Sequence, residues 1–439
     1  MKKFINTLKN IWKVEELRQR ILLTLGLILI FRVGSFIVLP GVNAEVLAEA
    51  SANAGDGSLV GLLSLLSGGA FSNASILALG IMPYISASII MQLLGMAVPA
   101  VQKMQEEGES GRKRIDYITR LLTIAICIFQ APSYVGLYVK GYGAIVHETP
   151  LWWVQSVILL VAGAMFAVWL GDRITDKGVG NGISLLITVG ILARFPLSFI
   201  QEITNKINNP IMIIVEVVMF MVIVMATILI VQGVRKIPLN VAKRMTAGRG
   251  AIDQGARQYL PIKVNASGVM PIIFAQAIMT VPMMLMQGDK NFLGLGNMYG
   301  FSYNLLLGIL IIIFTYFYTA IMINPKKMAD DMKRNGSFIP GIKPGIATSD
   351  YIDQLVSRIT LPGSLFLAII AIIPAFANMA GVTNGFAMFF GGTSLLIMVA
   401  VVLDTLQQIE SYLLNRHYDG LMEGTRIRGR RGMEGVSSL

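Results

Sequence analysis

Ten runs of predominantly apolar residues constrain this chain more than any other feature. They cover 21–39, 73–98, 121–139, 152–171, 182–200, 211–233, 266–287, 303–323, 360–377 and 385–403. A hydrocarbon core about 30 Å thick takes roughly 20 helical residues to cross. Backbone groups inside lipid must be satisfied within the segment itself, so each run is expected to be a helix. Charge content agrees: 14% of the 439 residues are charged, where a soluble domain averages about 25%. The expected fold is an all-α polytopic membrane protein with ten transmembrane helices. The first run is too long for a signal-peptide core and has no small-residue cleavage site directly behind it, so it is expected to be retained.

An even number of spans puts both chain ends on one side. With the N-tail, alternate loops and C-tail on one face, the opposite face holds only Lys140, Lys206 and Lys290, and the spans hold Arg32 and Arg194. Every other lysine and arginine falls on the first face, which the positive-inside rule makes cytoplasmic. The formal charge of +11 is therefore mostly topology. Residues 1–20 carry Lys2, Lys3, Lys9, Lys13, Arg18 and Arg20, with Phe4, Leu8 and Trp12 four residues apart. That spacing suits a basic amphipathic helix lying on the anionic face of the lipid bilayer.

Two loops on the basic face exceed what a helix–helix connection requires. Loop 234–263 has Arg235, Lys236, Lys243, Arg244, Arg249, Arg257 and Lys263 against Asp253 alone. Loop 324–358 has turn signals at Pro340-Gly341 and Pro344-Gly345. Basic loops of this length are expected to dock an acidic or RNA-bearing cytosolic partner.

Catalysis needs a nucleophile, base or metal in a convergent site, and no such constellation is legible, so no catalytic residue is assigned. The only cysteine is Cys127, and His147 and His417 lie far apart; neither a metal site nor a cofactor is expected. No Gly-Lys dipeptide occurs, so there is no P-loop. The ionisable residues within spans are Arg32, Arg194 and Glu216; Arg32 and Glu216 either pair or snorkel to an interface. An ion-coupled pump usually shows more of them, at mid-depth and paired. That favours a passive conduit, with a secondary transporter of a small solute as the alternative. An intramembrane enzyme would need a nucleophile–base pair.

The stretch 59–99 departs from a simple lipid anchor. Residues 59–71 form an apolar run of half the spanning length, ending at Gly68-Gly69, and the next run contains Gly80, Pro83, Tyr84, Ser86, Ser88 and Gln92. Irregular backbone at membrane depth persists only where protein buries it or water lines it. Residues 59–71 are thus expected to be a short re-entrant helix in a cavity, and the following helix one wall of that cavity.

Motifs along about 18–410 carry a resemblance. In order they are FRVGSFIVLPGV, SGGAFSNASILALGIMPYISASII, EEGESGRKRIDYITR, WLGDRITDKGVGNGIS, LPIKVNASGVMP, FYTAIMINP, GSFIPGIKPG and FGGTSLLI. They closely resemble bacterial members of the SecY family, the central subunit of the protein-translocation channel. The resemblance implies two five-helix halves, 21–205 and 206–403, followed by a cytoplasmic tail, 404–439. It implies a plug over 59–71, with Leu59, Leu62, Leu63, Leu65, Leu66, Gly68 and Gly69. It implies a mid-membrane ring of Ile81, Ile85, Ile183, Ile187, Ile273 and Ile397, residues that composition alone cannot distinguish from ordinary lipid- or core-facing aliphatics. Stiff β-branched side chains in such a ring exclude water yet grip nothing that passes. Ser86, Gln92 and Asn265 match a lateral gate, whose polar contacts of about 0.6–2 kcal/mol each are weak enough to part.

The implied activity is passage of unfolded secretory chains across the bacterial cytoplasmic membrane and sideways release of transmembrane segments into lipid. The implied partners are SecE-like and SecG-like small membrane subunits, and a SecA-like ATPase or the ribosome docked on Arg235, Lys236, Lys243, Arg244, Arg249 and Lys343. The family usually has arginine where this chain has Lys343. Lysine keeps the charge but loses the bidentate fork.

Overall fold

The computed structural model describes residues 14–47, 64, 67–241, 258–285 and 299–430. The expected amphipathic helix over 1–20 lies mostly outside the described residues. The protein divides into two compact units, Met1–Arg194 with Val401–Leu439, and Phe195–Ala400.

Each expected span overlaps a helix: α1 (Glu15–Gly34), α2 (Met82–Ala97, continued after a sharp bend by α3, Pro99–Glu106), α4 (Glu109–Tyr134), α5 (Pro150–Lys177), α6 (Gly182–Asn205), α7 (Pro210–Val231), α8 (Met270–Leu285), α9 (Phe301–Met322), α11 (Ile346–Met379) and α13 (Gly392–Arg430). Among the described residues, seven helices are long and apolar enough to cross a membrane unaided. The exceptions are α1, which carries Glu15, Glu16, Arg18, Arg20 and Arg32, and the 16-residue α2 and α8. The fold is that of a multi-pass helical membrane protein.

One boundary differs from expectation. The second span was expected to be helical from residue 73, but 73–81 is a series of turns and α2 begins at Met82. Pro83 explains this, because proline fits the first turn of a helix and breaks its interior. At about 1.5 Å per residue, α2 is shorter than the hydrocarbon core, and the turns supply the remaining depth. Those turns are pinned by backbone bonds from Leu39 N–H to Ala74 O and from Ile76 N–H to Ile37 O, both 2.9 Å. Gly163 lets α5 lie against them: a Cβ there would sit 2.1 Å from the Ile76 carbonyl oxygen.

The second unit adds something the all-helical expectation lacked. Strands β1 (Val234–Val241), β2 (Gln258–Lys263) and β3 (Ser337–Phe338) form a sheet ordered β2-β1-β3. Both pairings are antiparallel, with Val234 opposite Lys263 and Asn240 opposite Phe338. Helix α10 (Pro325–Arg334) and the start of α11 pack on it through Ile237, Ile262, Met332, Ile339, Ile352 and Val356. The described parts of the two long basic loops, 234–241, 258–263 and 324–358, are therefore folded around an apolar core of their own.

Elsewhere in this unit, Phe195, Phe199 and Phe220 gather around Phe386 of the short α12 (Asn384–Ala387) at centroid distances of 5.6–6.1 Å. Phe390 meets Phe386 edge-to-face at 5.1 Å. Phe386→Ala is expected to destabilise the protein on the order of 2 kcal/mol, below the ~3–5 kcal/mol of a water-soluble core, because packing is lost but little transfer from water. Thermal unfolding in detergent, read by intrinsic fluorescence, checks this; an unchanged midpoint would refute it.

Candidate functional site

Residues 67–75 run through turns closed partly by their own backbone bonds, and the carbonyls left over need partners from elsewhere. Side chains on three helices hold the segment. Arg32 of α1 donates Nη1–H to the Gly68 carbonyl at 2.9 Å, and Arg194 of α6 donates Nη2–H to Ser72 Oγ, also at 2.9 Å. Tyr134 of α4 donates its hydroxyl to the Phe71 carbonyl at 2.7 Å. Ser64 donates to Ser72 Oγ at 2.8 Å, and Ser72 to the Gly69 carbonyl at 3.0 Å. The Phe71 ring stands 4.7 Å from that of Tyr134 and 5.0 Å from that of Tyr138.

Gly68 and Gly69 have φ of +65° and +92°, a region that glycine enters without steric cost. At Gly68 the requirement is double, because a Cβ would fall 2.7 Å from Gly190 Cα. The turn thus sits directly on α6. Ser64, Ser72, Tyr134 and Tyr138 carried no sequence signal of this role. Arg32 and Arg194 did, since an arginine at membrane depth must find an acceptor.

Ile81 ends the turns, and Ile85 lies one helical turn into α2; Ile183 and Ile187 lie one turn apart on α6. All four pack in one apolar cluster with Phe31, Leu77 and Leu186. Ile81, Ile85 and Ile187 also line a narrow crevice, together with Phe31, Leu186 and Ser67. Ser67 belongs to the glycine turn, so the turn's edge borders the same space. Ile183 is in the cluster but not at the crevice; its Cγ1 lies 2.8 Å from where a Cβ on Gly171 of α5 would stand. Ile273 is half-buried on α8 and Ile397 buried on α13, both in the other unit.

The remaining expected residues are dispersed. Of the plug residues, Leu59, Leu62, Leu63, Leu65 and Leu66 lie outside the described residues. Ser86 and Gln92 are half-buried on α2, with the Ser86 hydroxyl donating to its own helix at Met82 O, 3.2 Å. Asn265, just before α8, accepts from Ser267 Oγ at 3.3 Å. Arg235 and Lys236 are exposed on β1, and Lys343 is exposed in the turn before α11, where its carbonyl accepts from Thr348 Oγ1 at 2.9 Å. Lys243, Arg244 and Arg249 lie outside the described residues.

The ionisable span residues each have a partner near at hand. Arg32 meets a backbone carbonyl, whereas Glu216 is paired with Lys206, which also reaches Glu202 at 2.8 Å. Glu202 in turn accepts from the Thr383 N–H at 3.0 Å and from the Thr383 hydroxyl.

Comparison with known proteins agrees with this architecture. Residues 75–406 match the SecY family model. The protein translocase subunit SecY of Chlamydia trachomatis is 38% identical, over 97% of this chain and 99% of that protein. That of Thermotoga maritima is 38% identical, over 96% and 99%. Among solved structures, that of a protein conducting channel superposes with a TM-score of 0.60 at 19% identity, covering 90% of this chain and 92% of the other. Sec61 in the canine ribosome–channel complex superposes with a TM-score of 0.58 at 19% identity, with the same coverage. The structural likenesses speak for the fold and the sequence matches for descent: this chain belongs to the SecY family.

Proposed function

We propose that this chain is the pore-forming subunit of a protein-conducting channel in a bacterial cytoplasmic membrane. It passes unfolded secretory polypeptides across the bilayer and releases transmembrane segments sideways. The observation that carries this reading is the crevice where Ile81, Ile85 and Ile187 meet Ser67 at the edge of the glycine turn. An apolar constriction bordered by an irregular turn suits a conduit that must seal against ions yet bind no client tightly. In this reading Ile183, Ile273 and Ile397 share the ring, residues 59–71 are the plug, and Ser86, Gln92 and Asn265 line the seam.

The relatives' name, protein translocase subunit, supports the same function. The chain performs no covalent chemistry of its own, and a docked partner supplies the driving force. Arg235, Lys236 and Lys343 stand exposed on the folded basic segments, as a docking face for a SecA-like ATPase or a ribosome requires. SecE-like and SecG-like subunits accompany the chain in the membrane, with both its termini in the cytoplasm.

The test is reconstitution with those small subunits into proteoliposomes, followed by addition of the ATPase, ATP and an unfolded secretory precursor. The precursor is expected to become protease-protected only when all components are present. No protection, together with uptake of a small solute by the chain alone, would replace this reading with the transporter one.

A further inference from the structure

We propose that Arg32 and Arg194 act as a two-point latch that sets how readily the 67–72 turn leaves its seat. This rests on the reading of that segment as a plug. The two cations arrive from different helices and grip the turn four residues apart, at the Gly68 carbonyl and at Ser72 Oγ. Neither acceptor belongs to a helix ladder, so breaking either bond leaves the secondary structure around it intact. The Gly68 seat on Gly190 gives the turn one register, and the arginines hold it there.

Position makes these bonds matter. Both arginines lie within membrane-spanning stretches, where a guanidinium that loses its acceptor is costly to leave bare. Departure of the turn therefore requires water, or another acceptor, to replace the bonds that Arg32 and Arg194 give up as it goes. Displacement and wetting of the crevice are coupled through these two side chains. A charge-assisted bond shielded from bulk water changes such an equilibrium by about tenfold or more.

The experiment measures resting ion conductance in planar bilayers holding the full chain with its membrane partner subunits. Arg32→Gln and Arg194→Gln are each expected to raise the resting opening frequency by about tenfold, and the double variant further. Ser72→Ala, which removes an acceptor and leaves both cations in place, is expected to raise it less. In a chain lacking residues 59–66, which is expected to leak already, the arginine substitutions are expected to add nothing.

A leaking deletion with silent arginine and Ser72 variants would overturn the latch and leave the plug reading standing. A silent deletion would remove the plug reading and the latch with it. Arginine effects that add to the deletion would show that the cations act elsewhere. If the glutamine variants fail to fold, Arg32→Lys and Arg194→Lys, which keep the charge and lose the second donor arm, carry the same test. A second readout is maleimide labelling of Ser67→Cys in a Cys127→Ala background. Ser67 is only 5% exposed, and labelling is expected to quicken in the arginine variants; an unchanged rate counts against the latch.

Discussion

Serine at Ile81, Ile85 and Ile187 together is expected to turn a silent bilayer into a conducting one while the protein still inserts and folds. The three side chains line the same crevice, and its seal depends on water finding nothing there to bond with. Each isoleucine-to-serine exchange removes apolar surface and adds a hydroxyl, shifting wetting by on the order of 1–2 kcal/mol. Three such exchanges in one narrow space are expected to raise resting conductance at least about a hundredfold. Ile183→Ser provides the internal contrast. That residue packs on α5 at Gly171, away from the crevice, so its loss is expected to lower thermal stability and to raise conductance far less than the triple exchange. Equal leak from Ile183→Ser and the triple variant would locate the seal elsewhere, and no leak from the triple variant would remove the ring.

That contrast marks where sequence reading stops. The spans were legible because lipid imposes a length and forbids open backbone, and each expected run overlaps a helix. The start of α2 was legible in principle, since Pro83 cannot sit inside a helix, yet hydropathy runs straight through it. The three-stranded sheet was harder. Ile237, Leu239, Leu260 and Ile262 alternate as strand residues do, but the partners 337–338 lie about a hundred residues on, and only the fold shows what they cover. Isoleucine is the least informative residue in a membrane helix, so Ile81 and Ile187 stood out only through family resemblance. The geometry adds that they share a space with Ser67 and that Ile183 does not line it. Arg32, Arg194 and Glu216 are the reverse case, conspicuous by charge and unassigned until their partners were seen.

Lys206→Met is expected to destabilise the second unit by about 3–5 kcal/mol, the cost of stranding buried charge. The apolar window of α7 is only 11% buried within the protein, yet Glu216 is among its few buried residues, at 2% exposure. Lys206 lies between Glu216 and the 1%-exposed Glu202, which also holds the Thr383 backbone just before α12. One ammonium thus serves two carboxylates, and removing it leaves both facing each other in a site that water barely reaches. Glu216→Gln should be far milder, because it discards the excess negative charge and keeps an acceptor for Lys206.

The same pair gives a pH dependence of definite sign. Burial would lower the Lys206 ammonium, but hydrogen bonds to Glu202 and Glu216 outweigh it and hold the group above its ordinary value. A raised folded value contributes stability that is fully present below the unfolded lysine value of roughly 10.4 and is lost as pH climbs through the folded one. Unfolding of the wild-type protein in detergent is therefore expected to become easier above about pH 10.5, and that slope should vanish in Lys206→Met. The same slope in both proteins, or a Lys206→Met midpoint equal to that of Glu216→Gln, would show that the triad contributes nothing to holding α7 and α12 in place.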